Sequence, residues 1–213
     1  MEKLDKLIEI INEALKGSGK PKLTDEQLAV GGFISPNNRH FLNNIGSLCT
    51  NYLEVGSHIG SSLVSVVYGN ENIKSAIACD NFSLFSTPEQ NVKGEFISNC
   101  DRSIEGRYKL IEKDCYTLTK KDIPNKVDLY YYDGDHSYES QYKGITHFAK
   151  FLTDDAIVIV DDFSWKDPNE GTMDGIRDAG LKIKYMMTLY SGQESDCSEK
   201  GFWNGYGVFM LKK

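Results

Sequence analysis

Two short stretches of this chain combine residue types that bind and react. The first is Glu54-Val55-Gly56-Ser57-His58-Ile59-Gly60-Ser61-Ser62, where a carboxylate ends an apolar run and two glycines four apart precede a helix-compatible segment. That order reads as a buried strand, a tight turn and a helix start, the place where an open α/β sheet receives a nucleotide-like ligand. The dinucleotide fingerprint Gly-x-Gly-x-x-Gly is one glycine short here, and Glu54 would repel a pyrophosphate, whose usual cradle presents N–H donors. The turn therefore suits a ligand with ribose hydroxyls and positive charge. The second stretch is Asp133-Gly134-Asp135-His136, taken together with Asp161-Asp162. Carboxylates brought together repel one another unless they bind a cation or take up protons, and an oxygen-rich set suits magnesium, calcium or manganese. The plainer reading is that Asp161 or Asp162 only caps Phe163-Ser164-Trp165. His136, whose imidazole titrates near neutrality, is three residues from Asp133 and suits general-base work, the alternative being a structural loop histidine. His58 lines the glycine turn or faces solvent, while His40 and His147 fall in predicted helices and carry no chemical signal.

These groups need a scaffold that brings distant residues together. Leu4, Leu7, Ile8, Ile11 and Leu15 recur at helical spacing until Gly17-Ser18-Gly19 stops the pattern. Thr24-Asp25-Glu26-Gln27 has capping-box form, and Ser35-Pro36 offers an N-cap followed by proline. Residues 1–48 thus form a helical prelude rather than an independent domain, with its first helix docked on the body or serving as a lid or homodimer contact. From Tyr52 strands and helices alternate. Strands are expected at 52–55, 74–79, 108–112, 127–132, 156–160, 181–189 and 206–211. Helices are expected at 62–68, from the capping box Thr87-Pro88-Glu89-Gln90 through about Cys100, at 138–152 and at 173–180. Strands without polar alternation are buried on both faces, as in a helix-covered parallel sheet. The last two strands read as a hairpin-like, antiparallel finish at the sheet edge. The fold class is therefore α/β, a Rossmann-like seven-stranded, mostly parallel sheet with an antiparallel last strand, helices on both faces and the prelude in front.

Glu54, Asp80, Asp114, Asp133 and Asp161 each stand at or just past the C-terminal end of successive predicted strands. In an open parallel sheet those ends face one crevice. A single such acid is often only a turn residue; five in succession argue for a site. Trp165, Trp203 and Phe202, in predicted loops, would wall it or pack on the sheet, and Tyr130-Tyr131-Tyr132 reads as strand core.

Bulk properties narrow the classes. A chain of 213 residues suits one large α/β domain at 49–213. A formal charge of −7 argues against a broad nucleic-acid footprint, which requires clustered lysine and arginine. Five cysteines without paired metal-type spacing read as reduced thiols. No apolar run reaches membrane-spanning length and no signal-peptide layout opens the chain, so a soluble, cytoplasmic protein is expected.

Taken together, residues 24–211 resemble the class I S-adenosylmethionine-dependent methyltransferases. Leu53-Glu54-Val55-Gly56-x-x-x-Gly60-x-Ser62 is similar to that family's first motif, whose loop, Ser57 included, holds the methionine part of the cofactor. Asp80 matches the acid on the ribose hydroxyls, and Asp114-Cys115 falls at the adenine. The resemblance implies that the cofactor's amino group lies toward Asp133 and Asp135. Within that class the chain looks like the small cation-dependent O-methyltransferases of the catechol and caffeoyl-coenzyme A type. Asp133, Asp161 and Asp162 match their metal-binding positions, and His136 stands where they carry a lysine. Asp162 replaces an asparagine, and the segment 133–138 is one residue shorter than in the plant enzymes. The form Asp-Gly-x-His-x-Tyr is also similar to macrolide-sugar-type relatives, while Phe33-Ile34-Ser35-Pro36-x-x-x-x-Phe41-Leu42 is similar to the prelude helix of the cation-dependent group. The resemblance implies divalent-metal-assisted O-methylation of a small hydroxylated acceptor. Its rivals are a metal-independent methyltransferase, a metallohydrolase built on Asp133, Asp135, His136 and Asp161, and a cofactor-binding module without turnover.

Overall fold

The computed structural model describes residues 2–84, Thr87 and 90–213. Helix α1 (Lys3–Lys16) opens with a reciprocal capping box between Glu2 and Asp5 and stops at Gly17, whose φ of 67° lets the chain turn left-handed. Its buried stripe is Leu7, Ile11 and Ala14. Leu15, expected on that stripe, is exposed, because the face turned to the body is centred between Leu7 and Ala14. Helix α2 (Asp25–Leu28) has the Thr24–Gln27 capping box, and α3 (Pro36–Gly46) is capped by the Ser35 hydroxyl, which accepts from the Asn38 N–H.

Seven strands follow: β1 (Asn51–Val55), β2 (Ser75–Cys79), β3 (Lys109–Ile111), β4 (Val127–Tyr132), β5 (Leu152–Val160), β6 (Lys182–Leu189) and β7 (Tyr206–Lys212). They form one sheet in the order β3-β2-β1-β4-β5-β7-β6, parallel except for β7, which runs antiparallel to both neighbours. The Rossmann-like expectation holds. Strand order reverses direction between β1 and β4, so the connections leaving their C-terminal ends diverge and open a crevice there. The terminal hairpin lies at the edge as expected, but β6 is outermost and β7 is inserted against β5. Val208 and Phe209 of β7 are wholly buried, whereas β6 exposes Ile183 and Met186.

Alternate side chains divide between two cores. Tyr131, Leu129 and Ile159 point to the face covered by α1, α3, α4 (Ser61–Val67) and α5 (Val92–Ile104). Tyr130, Tyr132 and Val158 point to the face covered by α6 (Tyr138–Thr146) and α7 (Lys166–Asp178). Leu7, Ile11 and Phe41 belong to the first core, so the prelude shares the sheet's own apolar cluster. Burying a leucine such as Leu7 fully stabilises the fold by about 2–3 kcal/mol.

Several boundaries depart from the sequence expectation. The N-cap of α5 is Asn91, whose side chain accepts from the Gly94 N–H at 2.9 Å, and the helix runs to Ile104. The anticipated start at Thr87 is therefore not used, and Pro88 and Glu89 lie outside the described residues. Helix α6 ends at Thr146, with His147 as its C-cap, and β5 begins at Leu152 rather than Ala156. Helix α7 starts at Lys166, well before Met173, because Pro168 is tolerated in a first turn where backbone N–H groups have no partner inside the helix. Among the described residues no helix is long and apolar enough to cross a membrane.

Candidate active site

The connections leaving β1, β2, β3, β4 and β5 enclose a pocket of about 690 Å³. Its first half is built around the turn after β1. Gly56 has φ 82°, and a Cβ there would lie 1.8 Å from the Asp133 carbonyl oxygen, so only glycine lets the β1 and β4 turns touch. Asp80 organises this turn: one carboxylate oxygen accepts from the Ser57 and His58 N–H groups at 2.8 and 2.9 Å, the other from the Phe82 N–H at 2.7 Å. Asp114 accepts from the Tyr116 N–H at 2.9 Å and starts a single 3-10 turn, which places Cys115 on the pocket wall. Burial pushes the Cys115 thiol up to about 12, so it stays neutral.

Glu54 and Gly60 sit differently from the rest of the expected cofactor set. Neither lines the pocket, whereas Gly56, Ser57, Ser62, Asp80, Asp114, Cys115, Asp133 and Asp135 do. Gly60 has φ 89°, and its missing side chain leaves room for Cys100 of α5, 2.7 Å from where a Cβ would be. Glu54 is fully buried behind the turn, where Tyr52 Oη donates to its Oε2 at 2.5 Å. Burial pushes its carboxyl up to about 7, against the opposing pull of the Tyr52, Ser57 and Ser62 hydroxyls. Its Oε1 has no hydrogen bond.

The second half carries the reactive groups. Pairing of Tyr132 with Val160 places Asp133 and Asp161 side by side, one residue past the ends of β4 and β5. Burial first, then the charges of Asp161 and Asp162, raises the Asp133 carboxyl well above the usual carboxylate range. Burial and the neighbouring Asp162 push Asp161 up to about 7. Two carboxyls placed side by side cannot both ionise cheaply. Asp162 follows with φ 51°, a left-handed conformation, and its Oδ2 lies 3.2 Å from His136 Nε2. Burial raises Asp162 and the imidazole beside it opposes that rise. His136 Nδ1 has no partner, and Trp165 meets the ring edge-on with centroids 5.7 Å apart. Asp135 instead accepts from the Ser137 N–H and hydroxyl; that hydroxyl, the N-cap of α6, holds its carboxyl below the usual range.

The donor chemistry suits the expected groups to different degrees. For a ribose-bearing cation, the glycine turn, Asp80 with lone pairs to spare and neutral Cys115 make a fitting wall. For a divalent metal, Asp161 and Asp162 each leave a buried Oδ1 without a hydrogen bond, which is the right donor type. Their arrangement is not a ligand cage: among the described residues, no group of three or more His, Cys, Asp or Glu side chains is placed to hold a metal ion.

Sequence reasoning missed Phe33, Phe82 and Asn204, all of which line the pocket. Of the three loop aromatics expected either to wall the crevice or to pack on the sheet, Trp165 and Trp203 line the pocket and Phe202 packs into the core. Four non-glycine residues with positive φ, namely His58, Phe82, Asp162 and Trp203, border this one pocket. Strain of that kind collects at functional sites. Nothing in the linear pattern announces it.

The family model described as "Methyltransferase domain" matches residues 53–163, just over half of the chain. The chain belongs to the methyltransferase-domain family. The matched segment runs from β1 to the residue after Asp162. Solved structures share the fold of this chain. Cofactor-bound Rv0187 from MTB superposes with a TM-score of 0.61 at 14% identity, covering 98% of this chain and 88% of that one. An O-methyltransferase from Bacillus cereus in complex with SAH gives 0.57 at 13% identity, with 98% and 91% covered. The SAH-bound Podospora anserina methyltransferase PaMTH1 gives 0.55 at 13% identity, with 98% and 88% covered. Among curated proteins, "Uncharacterized protein R132" of Acanthamoeba polyphaga mimivirus is 26% identical over 113 residues, 53% of this chain and 51% of that protein. The chain thus spans about half the length of the curated relative it matches.

Proposed function

We propose that this methyltransferase acts on a hydroxyl of a small-molecule acceptor, with His136 as general base and Asp162 as the carboxylate behind it. The observation that carries the reading is the His136–Asp162 contact of 3.2 Å in the same pocket as the glycine turn and Asp80. Residues Gly56, Ser57 and Ser62 would flank the methionine part of the cofactor, Asp80 its ribose, Asp114 and Cys115 its adenine, and Asp133 and Asp135 its amino end. The bound cofactor supplies an electrophilic methyl group on a positively charged sulfur. His136 would take the proton that the acceptor hydroxyl gives up on accepting that methyl group, the cofactor's thioether being the leaving group. Asp162 then stabilises the imidazolium, as a buried carboxylate does behind any histidine base. The pocket walls hold the acceptor in line and exclude water, which is where most of the rate gain would arise.

A second reading adds a divalent cation on Asp133, Asp161 and Asp162, favoured by the unpaired Oδ1 atoms of Asp161 and Asp162. Such an ion would lower the pKa of the acceptor hydroxyl. Activity that survives chelator and Asp161→Asn would discard it.

Calorimetry tests the cofactor first: S-adenosylmethionine should bind in the micromolar range or tighter, and NAD should not. Conversion to S-adenosylhomocysteine with pooled hydroxylated acceptors then tests turnover. Binding without conversion for every pool would leave a cofactor-binding module and overturn the enzymatic reading.

A further inference from the structure

We propose that the acceptor carries an ammonium group on the carbon next to the hydroxyl that is methylated, and that Asp161 and Asp162 hold this ammonium through their free Oδ1 atoms. The inference rests on reading His136 as the base for that hydroxyl. It puts an organic cation of the acceptor where a divalent ion would otherwise be sought.

Consecutive residues of a strand point to opposite faces of the sheet. Strand β5 ends at Val160 and Asp162 takes a left-handed φ of 51°, which breaks that alternation, and Asp161 and Asp162 both line the pocket. Each is only 5% exposed, and each keeps a buried Oδ1 without a hydrogen bond. The neighbouring acids are better provided. Tyr131 Oη donates to Asp133 Oδ2 at 3.3 Å, and Asp162 Oδ2 is engaged 3.2 Å from His136 Nε2. In the proposed arrangement the cofactor's amino end takes Asp133 and Asp135, which leaves the two free oxygens to the acceptor. A buried carboxylate oxygen without a donor is costly, so a ligand that brings both donors and positive charge gains most there.

The protein brings no cation of its own to these oxygens. Among the described lining residues the sole lysine or arginine is Lys113, which is engaged with Asp122 at 2.8 Å. A divalent ion needs a closed shell of oxygen ligands, and among the described residues no three His, Cys, Asp or Glu side chains are grouped to begin one. An ammonium asks for less, because its single charge and three N–H donors are satisfied by a few acceptors in an irregular arrangement. A neutral hydroxyl in the same place would leave the carboxylates uncompensated, and an anionic group would meet like charge. The hydroxyl at His136 and the ammonium at Asp161 and Asp162 must also be neighbours, because His136 and Asp162 are themselves only 3.2 Å apart. That separation points to a 1,2-amino alcohol.

Titrations at neutral pH in EDTA, followed by tryptophan emission with and without S-adenosylhomocysteine, test this with probes built on one saturated ring: 2-aminocyclohexanol, cyclohexane-1,2-diol and 2-hydroxycyclohexanecarboxylate. The amino alcohol should bind at least about tenfold tighter than the diol, the scale of one charge-assisted hydrogen bond, and the carboxylate should bind weakest. Asp161→Asn keeps the shape and removes the charge, so it should cut the preference for the amino alcohol to within about threefold while the diol binds as before. Equal binding of amino alcohol and diol overturns the proposal, as does tighter binding of the carboxylate or no binding of any probe. A preference that survives Asp161→Asn, or that magnesium in place of EDTA strengthens, overturns it as well. Failure of the wild-type protein to bind S-adenosylhomocysteine while it still ranks the probes in this order would sink the methyl-transfer reading and leave the ammonium site standing. Methylation of diol and amino alcohol with equal kcat/KM would do the reverse.

Discussion

The two halves of the pocket solve opposite problems with the same residue type. On the glycine-turn side, Asp80 and Asp114 accept backbone N–H groups and shape the turns that carry them. On the His136 side, Asp133 and Asp161 crowd each other, and Asp161 and Asp162 keep buried oxygens unpaired. A carboxylate satisfied by fixed N–H donors is a structural element with little freedom to react. A carboxylate deprived of partners is held ready for a proton, a cation or an imidazolium. Strand-end position alone does not separate these roles; the number of N–H groups within reach does.

The comparison can be broken most sharply at His136. His136→Ala should lower kcat by about 10²- to 10⁴-fold, the usual range for a lost general base, and leave cofactor affinity unchanged in calorimetry. A comparable loss of cofactor affinity would show that the halves are not separable. A pH effect comes next, because Glu54 is the exception on the glycine-turn side, buried and raised from 4.5 to about 7. A carboxyl raised on folding favours the protonated folded form. Its contribution is fully present below pH 4.5 and disappears as pH rises through about 7. The ligand-free protein should therefore lose up to about 3 kcal/mol from this group between pH 4.5 and 7.5, read from urea midpoints. Asp133 and Asp161 act in the same direction, so Glu54→Gln should flatten the slope without abolishing it. An unchanged slope would mean that Glu54 is not the buried titrating group. The smallest effect is expected at Asp80. Asp80→Asn keeps the shape but weakens the grip on three N–H groups, so cofactor affinity should fall by about tenfold while kcat at saturating cofactor stays near wild type. A drop in kcat as large as that for His136→Ala would erase the distinction.

Much of this architecture is legible from residue order. The runs ending at Cys79, Tyr132 and Val160 are mainly apolar and stop at the residue where each strand stops, as in strands buried on both faces, while the run to Val55 carries the buried Glu54 one residue before its end. Helix starts were harder to read. Trp165 caps α7 without a side-chain hydrogen bond and so gives no signal, while Thr87 offers a plausible cap that Asn91 displaces. In the site, the convergence of strand-end acids follows from parallel order. The pairing of His136 with Asp162 does not, because it needs the register of β4 on β5 and a left-handed backbone at a residue that usually avoids one. Phe33 and Trp203 meet only because the prelude and the β6–β7 connection fold over the same crevice.

The amino-acid sequence by itself determined the alternation of strands and helices, the glycine turn after β1 and the row of acids at strand ends. Each of these rests on local chemistry: apolar periodicity, the freedom of glycine at positive φ and the polarity of a turn. Tertiary structure alone decided which acids are satisfied and which are left hungry, that Glu54 and Gly60 stand behind the pocket wall, and which aromatic rings line the pocket. Those outcomes depend on burial and on partners supplied from distant segments, and both arise only when the sheet has closed on its helices.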